Sequence, residues 1–255
     1  LAQGMVYKDG AKMSKSKGNV VSPDEIIERY GADTGRLFIL FASPPEKDLE
    51  WSDQGVEGCH RFLRRVWRLV KEGRALADGE RDAAVMGKEE KELRRIIHSG
   101  IKKVTEDIQE RFNFNTAISA IMEMVNAAYN YLHEREKGGH HPAVWREALE
   151  SIVLLLAPFA PHLAEELWSS LGHRESVFFQ PWPEYDPQLL RREEVEIVIQ
   201  INGKVRGKMT VPVDCSQEEL VELARGHQRI GELLQGKEIR RAVAVPGKLV
   251  NLVIG

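Results

Sequence analysis

The segment NFNTAISAIMEMVNAAYNYL, residues 113–132, repeats apolar side chains at three- and four-residue steps. This spacing lines up one face of a helix, so it predicts an amphipathic helix packed against a core. The stripe consists of Ile118, Ile121, Met122, Val125, Tyr129 and Leu132. Similar stripes run from Phe62 to Val70 and from Ile152 to Leu167, with short breaks at Gly138-Gly139 and Ala157-Pro158. Residues from Gln54 to about Leu171 are therefore predicted to form an antiparallel helical bundle.

The last sixty residues change to the two-residue period of β-strands. VEIVIQINGKVRGKMTVPV, residues 195–213, alternates apolar and polar positions around Asn202-Gly203, a strong hairpin signal. Ser216 and Glu219 have the spacing of a capping box at a helix start. A second short helix and two strands around Pro246-Gly247 complete a predicted ββααββ order. The expected fold class is thus mainly α, with a small C-terminal α/β domain.

Composition bounds the classes of function. Hydrophobic residues make up 42% of the chain, charged residues 29%, and the formal net charge is −3. These values are typical of a globular protein, and any nucleic-acid contact must come from local basic patches. No apolar run reaches the roughly 18 residues of a membrane span, and the first ten residues lack an apolar signal core. We therefore expect a cytoplasmic protein without a membrane partner.

Metal and disulfide chemistry is not indicated. Cys59 and Cys215 are far apart and in no CxxC spacing. His162 and Glu166 are one helical turn apart, but the HExxH order is absent, so we expect a structural pair. Core or interdomain anchoring is the preferred interpretation of the tryptophans Trp51, Trp67 and Trp168.

The loop KMSKSKGN, residues 12–19, alternates ammonium groups with hydroxyls and carries one apolar residue, Met13. Such side chains resist burial, so the loop must face water or bind an anion. Lysines and serines can donate hydrogen bonds to a polyphosphate, and Gly18 allows the backbone to move. A solvated basic turn is the alternative. The loop ends at a predicted helix with Ser22 as N-cap, Pro23 at the first position and Glu25 completing a capping box.

Three cations follow the predicted hairpin. Lys204, Arg206 and Lys208 alternate along one strand and are predicted to project from one face. Lys237, Arg240, Arg241 and Lys248 lie nearby in sequence. They could form a patch that follows phosphates, but on the residues alone a solvated sheet face is the preferred interpretation.

Three blocks together resemble the leucyl-tRNA synthetases. KMSKS is the signature of class I aminoacyl-tRNA synthetases, and residues 12–53 resemble the stretch that follows the second half of their catalytic fold. Residues 113–126 and 156–172 resemble their helical, anticodon-binding-type domain. Residues 199–208 and 245–251 resemble the C-terminal tRNA-binding domain, which separates the leucyl branch from its valyl and isoleucyl relatives. The resemblance covers essentially the whole chain.

The resemblance implies a domain order and a division of roles. It implies the end of a catalytic domain at 1–53, a helical domain at 54–180, a linker at 181–194 and a tRNA-binding α/β domain at 195–255. Lys15 is expected to contact the ATP phosphates as pyrophosphate leaves, while Lys12, Ser14 and Ser16 assist and shape the loop. The residues expected to contact tRNA are Lys204, Arg206, Lys208 and Lys248.

The same resemblance implies the substrates and partners. ATP is expected as a substrate together with Mg²⁺, although no metal site is expected in this chain, and leucine tRNA is the expected nucleic-acid partner, with no DNA. The second ATP signature, HIGH, is absent, so the chain is expected to be an incomplete ligase that is inactive without a catalytic half on the same or another chain. The alternatives are a stand-alone RNA-binding module, a valyl- or isoleucyl-type synthetase fragment, and a protein-interaction scaffold.

Overall fold

The computed structural model describes residues 3–78, 86–134, 140–191 and 194–255. These residues form two compact units, Leu1–Leu190 and Arg191–Gly255. Each unit has its own hydrophobic core. The predicted mainly helical chain with a small α/β part at its C-terminal end is confirmed.

The first unit is a helical bundle preceded by a small sheet. Its strands pair in the order β2-β1-β3, with β1 antiparallel to β2 and parallel to β3. The strands are β1 (Val6–Lys8), β2 (Ala11–Lys12) and β3 (Leu49–Glu50). The helices are α1 (Pro23–Tyr30), α2 (Ala32–Ala42), α3 (Asp53–Gly73), α4 (Lys88–Glu106), α5 (Phe114–Glu134), α6 (Pro142–Leu156) and α7 (Pro161–Ser170). Shorter turns are 3₁₀ at Lys15–Lys17, Arg74–Ala77 and Val177–Phe179, and π-helical at Asp107–Arg111.

Helix α5 confirms the predicted helix and shifts its buried face slightly. Ile118, Ile121 and Val125 are fully buried as predicted, and Met124 is buried with them. The predicted members Met122, Tyr129 and Leu132 are half-buried and flank the core instead. The break at Ala157-Pro158 is confirmed between α6 and α7, whereas Gly138-Gly139 lies outside the described residues.

A buried carboxylate joins the α1–α2 pair to the bundle. Asp33 accepts a hydrogen bond from the backbone N–H of Leu163 at 2.8 Å and contacts His162 Nδ1 at 2.9 Å. It therefore satisfies a free amide at the start of α7. The predicted pairing of His162 with Glu166 was wrong, because Glu166 contacts Lys71 at 3.2 Å instead.

The tryptophans have different environments. Trp168 is buried, and the Trp51 ring packs edge-on against Phe38 with centroids 4.9 Å apart. Trp67 is 40% exposed, so it does not lie in the core, and an anchoring role between domains stays a prediction for this residue. Its ring lies under the Lys71 ammonium, 4.6 Å from the ring centroid. A cation over an aromatic face is a stable arrangement in water.

Residues 180–188, interpreted from sequence as a linker or an ordered strap, lie against α4. Trp182 Nε1 donates to Thr105 Oγ1 at 2.8 Å, and the Asp186 N–H donates to His98 Nδ1 at 2.9 Å. Trp182 and Tyr185 also pack against the core of the first unit. The segment is an ordered strap over these residues.

The second unit has the predicted ββααββ order. Its sheet has the strand order β5-β4-β7-β6, with β4 and β7 parallel and the outer pairs antiparallel. The elements are β4 (Glu194–Ile201), β5 (Lys204–Pro212), α8 (Gln217–Gly226), α9 (Gln228–Leu234), β6 (Ile239–Val245) and β7 (Leu249–Ile254). Positive φ angles of 50° at Asn202 and 76° at Gly203 confirm the predicted hairpin turn.

Only one of the two predicted capping boxes forms. The Ser216 hydroxyl accepts from the Glu219 N–H, and the Glu219 carboxylate accepts from the Ser216 N–H. These bonds lower the pKa of Glu219. Ser22 occupies the N-cap position of α1, but its hydroxyl makes no capping bond. The prediction for Ser22 and Glu25 was therefore wrong.

A half-buried charge cluster joins α4 to α6. Glu147 accepts bonds from Arg94 Nε at 2.7 Å and from Arg94 Nη2 at 3.2 Å, and its Oε1 lies 3.0 Å from His98 Nε2. Burial alone would raise the pKa of Glu147, but the bonds from His98 and Arg94 outweigh it and lower this pKa to about 2. Folding therefore favours the ionised form of the Glu147 carboxylate.

Replacing Glu147 tests this cluster through pH. Because the folded-state pKa lies below the ordinary value of 4.5, the carboxylate contributes stability above pH 4.5 that is lost as the pH falls towards 2. We expect the gap in unfolding free energy between the wild-type chain and Glu147→Gln to shrink by about 2 kcal/mol from about pH 5.5 to about pH 3. Urea denaturation at the two pH values measures it, and an unchanged gap would contradict the ion cluster.

The two serines provide a matched pair for capping. We expect Ser216→Ala to lower the free energy of unfolding of the second unit by about 1 kcal/mol, because one helix amide loses its acceptor. Ser22→Ala should change stability by less than about 0.5 kcal/mol, since no capping bond is lost. Thermal unfolding of both variants measures the difference. Equal losses would show that the Ser22 cap forms after all.

No helix among the described residues has the length and apolarity to cross a membrane.

Candidate functional site

The loop at residues 12–19 extends from a tight hairpin. Asp9 and Gly10 have positive φ angles of 56° and 71° and turn β1 into β2. The Met13 N–H donates to the Val6 carbonyl at 2.9 Å, which extends the pairing by one residue. The chain then forms the turn Lys15–Lys17 and reverses at Gly18, whose φ of 67° favours glycine.

One side chain crosses this loop. Asn19 Oδ1 accepts from the Ser14 N–H at 2.9 Å. Asn19 Nδ2 donates to the carbonyls of Ala11 at 3.2 Å and Lys12 at 3.3 Å. The start of the loop is therefore hydrogen-bonded to Asn19, the last residue of the loop. Sequence analysis did not single out Asn19, although it stands inside the quoted motif.

The structure brings the four predicted catalytic residues together on this loop. Lys12, Lys15 and Ser16 are exposed, and the hydroxyls of Ser14 and Ser16 lie 3.1 Å apart. Within the described part of the chain, neither Lys12 nor Lys15 forms an ion pair with its side chain. Uncompensated ammonium groups next to hydroxyl donors are the groups that bind a polyphosphate. Their roles in a reaction stay a prediction.

The loop is poorly suited to hold a metal. Mg²⁺ prefers carboxylate, phosphate and water oxygens, whereas this loop offers ammonium groups and hydroxyls. Across the described residues, no group of three His, Cys, Asp or Glu side chains could hold a metal ion.

The predicted row of cations on β5 is broken by a β-bulge. Lys204 pairs with Ile201 and Lys208 with Val198, but the register shifts by one residue between these pairs and leaves Arg206 unpaired. Paired residues share a face, and Ile201 is buried in the core while Val198 is not. Lys204 and Lys208 therefore lie on opposite faces of the sheet. The prediction of one face was wrong, because an extra residue reverses the alternation.

The cations of the second unit are nevertheless open to solvent. Lys204, Arg206, Lys208 and Lys248 are all exposed. Lys208 Nζ contacts Glu196 at 2.8 Å, in a pair whose side chains are 61% and 58% exposed. Such a surface pair is weak and can exchange for a phosphate at little cost. Their binding to RNA stays a prediction.

A basic face on α3 was missed by sequence analysis. Its run HRFLRRVWRLVK, residues 60–71, places five cations within eleven residues and no acidic residue. In the described part of the chain, Arg64 and Arg68 have no acidic partner, whereas Lys71 contacts Glu166. Beside them lies a cleft of about 470 Å³, whose lining includes His60, Arg64 and Trp67. The cationic three- and four-residue spacing was the signal that could have identified this face.

Two family models match separate stretches of the chain. The model described as the anticodon-binding domain of tRNA ligase matches residues 90–221, which is more than half of the chain. The model described as tRNA synthetases class I (I, L, M and V) matches residues 1–52.

Individual relatives agree with these models. The Geotalea daltonii leucine–tRNA ligase is 54% identical over the whole of this chain, which spans 31% of that protein. A crystal structure of a ternary complex of Agrobacterium radiobacter K84 agnB2 LeuRS with tRNA and LeuAMS matches 99% of this chain at 34% identity and a TM-score of 0.74. This chain covers 32% of that structure. The predicted resemblance to leucyl-tRNA synthetases is thus confirmed, and the chain belongs to the tRNA ligase family that carries the anticodon-binding domain.

Proposed function

We propose that this chain is part of a leucine–tRNA ligase, in which it contributes the loop that contacts ATP phosphates and the surfaces that dock leucine tRNA. The observation that carries the proposal is the intact KMSKS loop, whose lysines form no ion pair with the described residues, in a chain 54% identical to a leucine–tRNA ligase. Because the chain spans about a third of that relative, the leucine pocket and the rest of the catalytic site belong to the remaining part. We place the reaction in the cytoplasm.

The proposed reaction has two steps. A leucine carboxylate oxygen attacks the α-phosphorus of ATP, the bond from that phosphorus to the bridging oxygen breaks, and pyrophosphate leaves with its electrons. A hydroxyl of the terminal tRNA ribose then attacks the leucyl carbonyl carbon, and AMP leaves. Negative charge grows on the departing pyrophosphate in the first step only.

The loop suits the first step. Lys15 is exposed at the start of the 3₁₀ turn, with Ser16 next to it and Gly18 ending the turn. An ammonium placed where charge develops stabilises the transition state more than the ground state. We assign this role to Lys15, with Lys12, Ser14 and Ser16 supporting the loop. Mg²⁺ is expected to accompany ATP, but we derive no step through it because the loop groups do not suit it.

The docking of tRNA is assigned to exposed cations in each unit. In the second unit these are Lys204, Arg206, Lys208 and Lys248, which lie on both sheet faces and in a turn. Such a distribution suits contacts to a curved ribose–phosphate backbone better than readout of base edges. In the first unit, Arg64 and Arg68 offer a further basic surface on a rigid helix.

A chimera tests the role of Lys15. In it, this chain replaces the matching 31% of the Geotalea daltonii leucine–tRNA ligase. We expect leucine-dependent ATP–pyrophosphate exchange in the chimera, and a fall in kcat of about 100-fold or more in Lys15→Ala, because the leaving charge loses its cation. Lys47→Ala is the matched control, since it removes an exposed cation outside the loop. Normal exchange in Lys15→Ala would contradict the assignment.

Titration with tRNA tests docking by this chain alone. We expect leucine tRNA to bind more tightly than an isoleucine tRNA, and Lys204→Ala/Arg206→Ala/Lys208→Ala to weaken binding about tenfold. The slope of log affinity against log salt should fall by about 0.7–0.9 for each lost phosphate contact. Arg225→Ala/Arg229→Ala, which removes two cations from the helices of the same unit, is the control. Binding that is unchanged in the triple variant would remove β5 from the interface, and the same titration of Arg64→Ala/Arg68→Ala measures the share of α3.

A further inference from the structure

The side-chain amide of Asn19, the last residue of the 12–19 loop, bonds back to the first residues of the loop and to Ala11 before it. Its oxygen accepts from the Ser14 N–H, and its nitrogen donates to the carbonyls of Ala11 and Lys12. We call these three hydrogen bonds the Asn19 bridge. They fix the end of β2 and the residue immediately before Lys15. The side chains of Lys15, Ser16 and Lys17 take no part in the bridge and stay exposed.

The chemistry of the bridge requires a carboxamide. The same planar group must accept from one N–H and donate to two carbonyls, which an amide can do. An aspartate has no donor at neutral pH, and its charge would face the two carbonyl oxygens. Gly18 directs the Asn19 backbone towards β2 through its φ of 67°, although a Cβ there would meet no atom within 4 Å. Glycine is therefore needed for conformation and not for space.

We propose that Asn19 is a positioning residue for Lys15, and that the Asn19 bridge holds the loop so that the Lys15 ammonium is presented before ATP arrives. The inference rests on the proposed function of the loop. A short loop fixed in advance loses less conformational entropy when it binds its ligand. The bridge ends at Ser14, so it restricts the backbone just before Lys15. The long side chain of Lys15 remains free to follow the leaving pyrophosphate.

Loss of the Asn19 bridge should affect catalysis and not binding. The Asn19 amide makes its three bonds within the chain, so we expect its loss to leave leucine binding and tRNA binding unchanged. The transition state depends most on where Lys15 lies, and a displacement of about 1 Å in a catalytic group costs on the order of 100-fold in rate. The effect should therefore appear in kcat for adenylate formation.

The first measurement is amide hydrogen exchange at Ser14 in this chain. We expect Asn19→Ala and Asn19→Asp to raise the exchange rate of the Ser14 N–H by about tenfold or more, because its acceptor is lost or displaced. The melting temperature should change by less than about 3 °C, since the loop is exposed. Asn130→Asp, at an exposed position on α5, is the control for the added charge. Unchanged Ser14 exchange in Asn19→Ala would overturn the bridge.

The second measurement is pyrophosphate exchange in the chimera. We expect Asn19→Asp to lower kcat about 10- to 100-fold, with the KM for leucine within about twofold and tRNA affinity unchanged. Asn19→Gln, which keeps donor and acceptor, should recover part of the loss, and Asn130→Asp should behave as wild type. Faster Ser14 exchange with normal kcat would show that the bonds exist but do not position Lys15.

The two measurements also separate this inference from the proposed function. An unsubstituted chimera that folds but catalyses no ATP–pyrophosphate exchange would count against the proposed function. The amide hydrogen exchange rates of Ser14 would then test whether the Asn19 bridge forms, without any catalytic assay.

Discussion

Burial of α2 against α3 is the packing on which the position of the loop depends. Leu37 and Phe38 of α2 are buried, and the Phe38 ring packs against Trp51. The Trp51 N–H donates to the carbonyl of Tyr7 in β1 at 2.7 Å, beside the parallel pairing of β1 with β3. Since β1 continues into the hairpin that carries the loop, the loop is held by the same core as the bundle.

A polar contact at the N-terminal end of α2 also holds this helix in place. Asp33 is buried and bonded to the first turn of α7, so α2 is fixed to the bundle through both apolar and polar contacts. A carboxylate in this place is stable because it accepts from a helix N-terminal amide and contacts an imidazole. The basic face of α3 packs on the same core. The arginines proposed to dock tRNA and the loop proposed to contact ATP phosphates therefore belong to one compact unit.

Much of the fold could be predicted because local signals agree with the tertiary structure. The stripe around Ile118 and Ile121, the Asn202-Gly203 turn and the Ser216 capping box each depend on residues close in sequence. Two of the failures depend on a distant partner or on a single inserted residue. The bulge at Arg206 separates Lys204 from Lys208, and no local signal distinguishes it from a regular strand. His162 pairs with Asp33, 129 residues away, and not with its helical neighbour Glu166.

In the candidate site, too, some residues could be identified from local sequence and others only from the structure. The loop lysines and serines were identified from a literal motif, whereas the role of Asn19 follows only from its bonds to carbonyls seven and eight residues earlier. The exposure of Trp67 could not be predicted, since a tryptophan between apolar residues usually lies in a core. The unpaired arginines Arg64 and Arg68 were visible in the sequence pattern, but their lack of acidic partners in the described chain is a property of the packed helices.

The most direct measurement compares the two chemical steps in the Lys15→Ala chimera under single-turnover conditions. One assay follows formation of leucyl-adenylate from leucine and ATP, and the other follows transfer from preformed, enzyme-bound leucyl-adenylate to tRNA. The account predicts slow adenylate formation with transfer close to the wild-type rate, because pyrophosphate leaves only in the first step. Equal slowing of both steps would contradict the claim that the loop stabilises the leaving pyrophosphate.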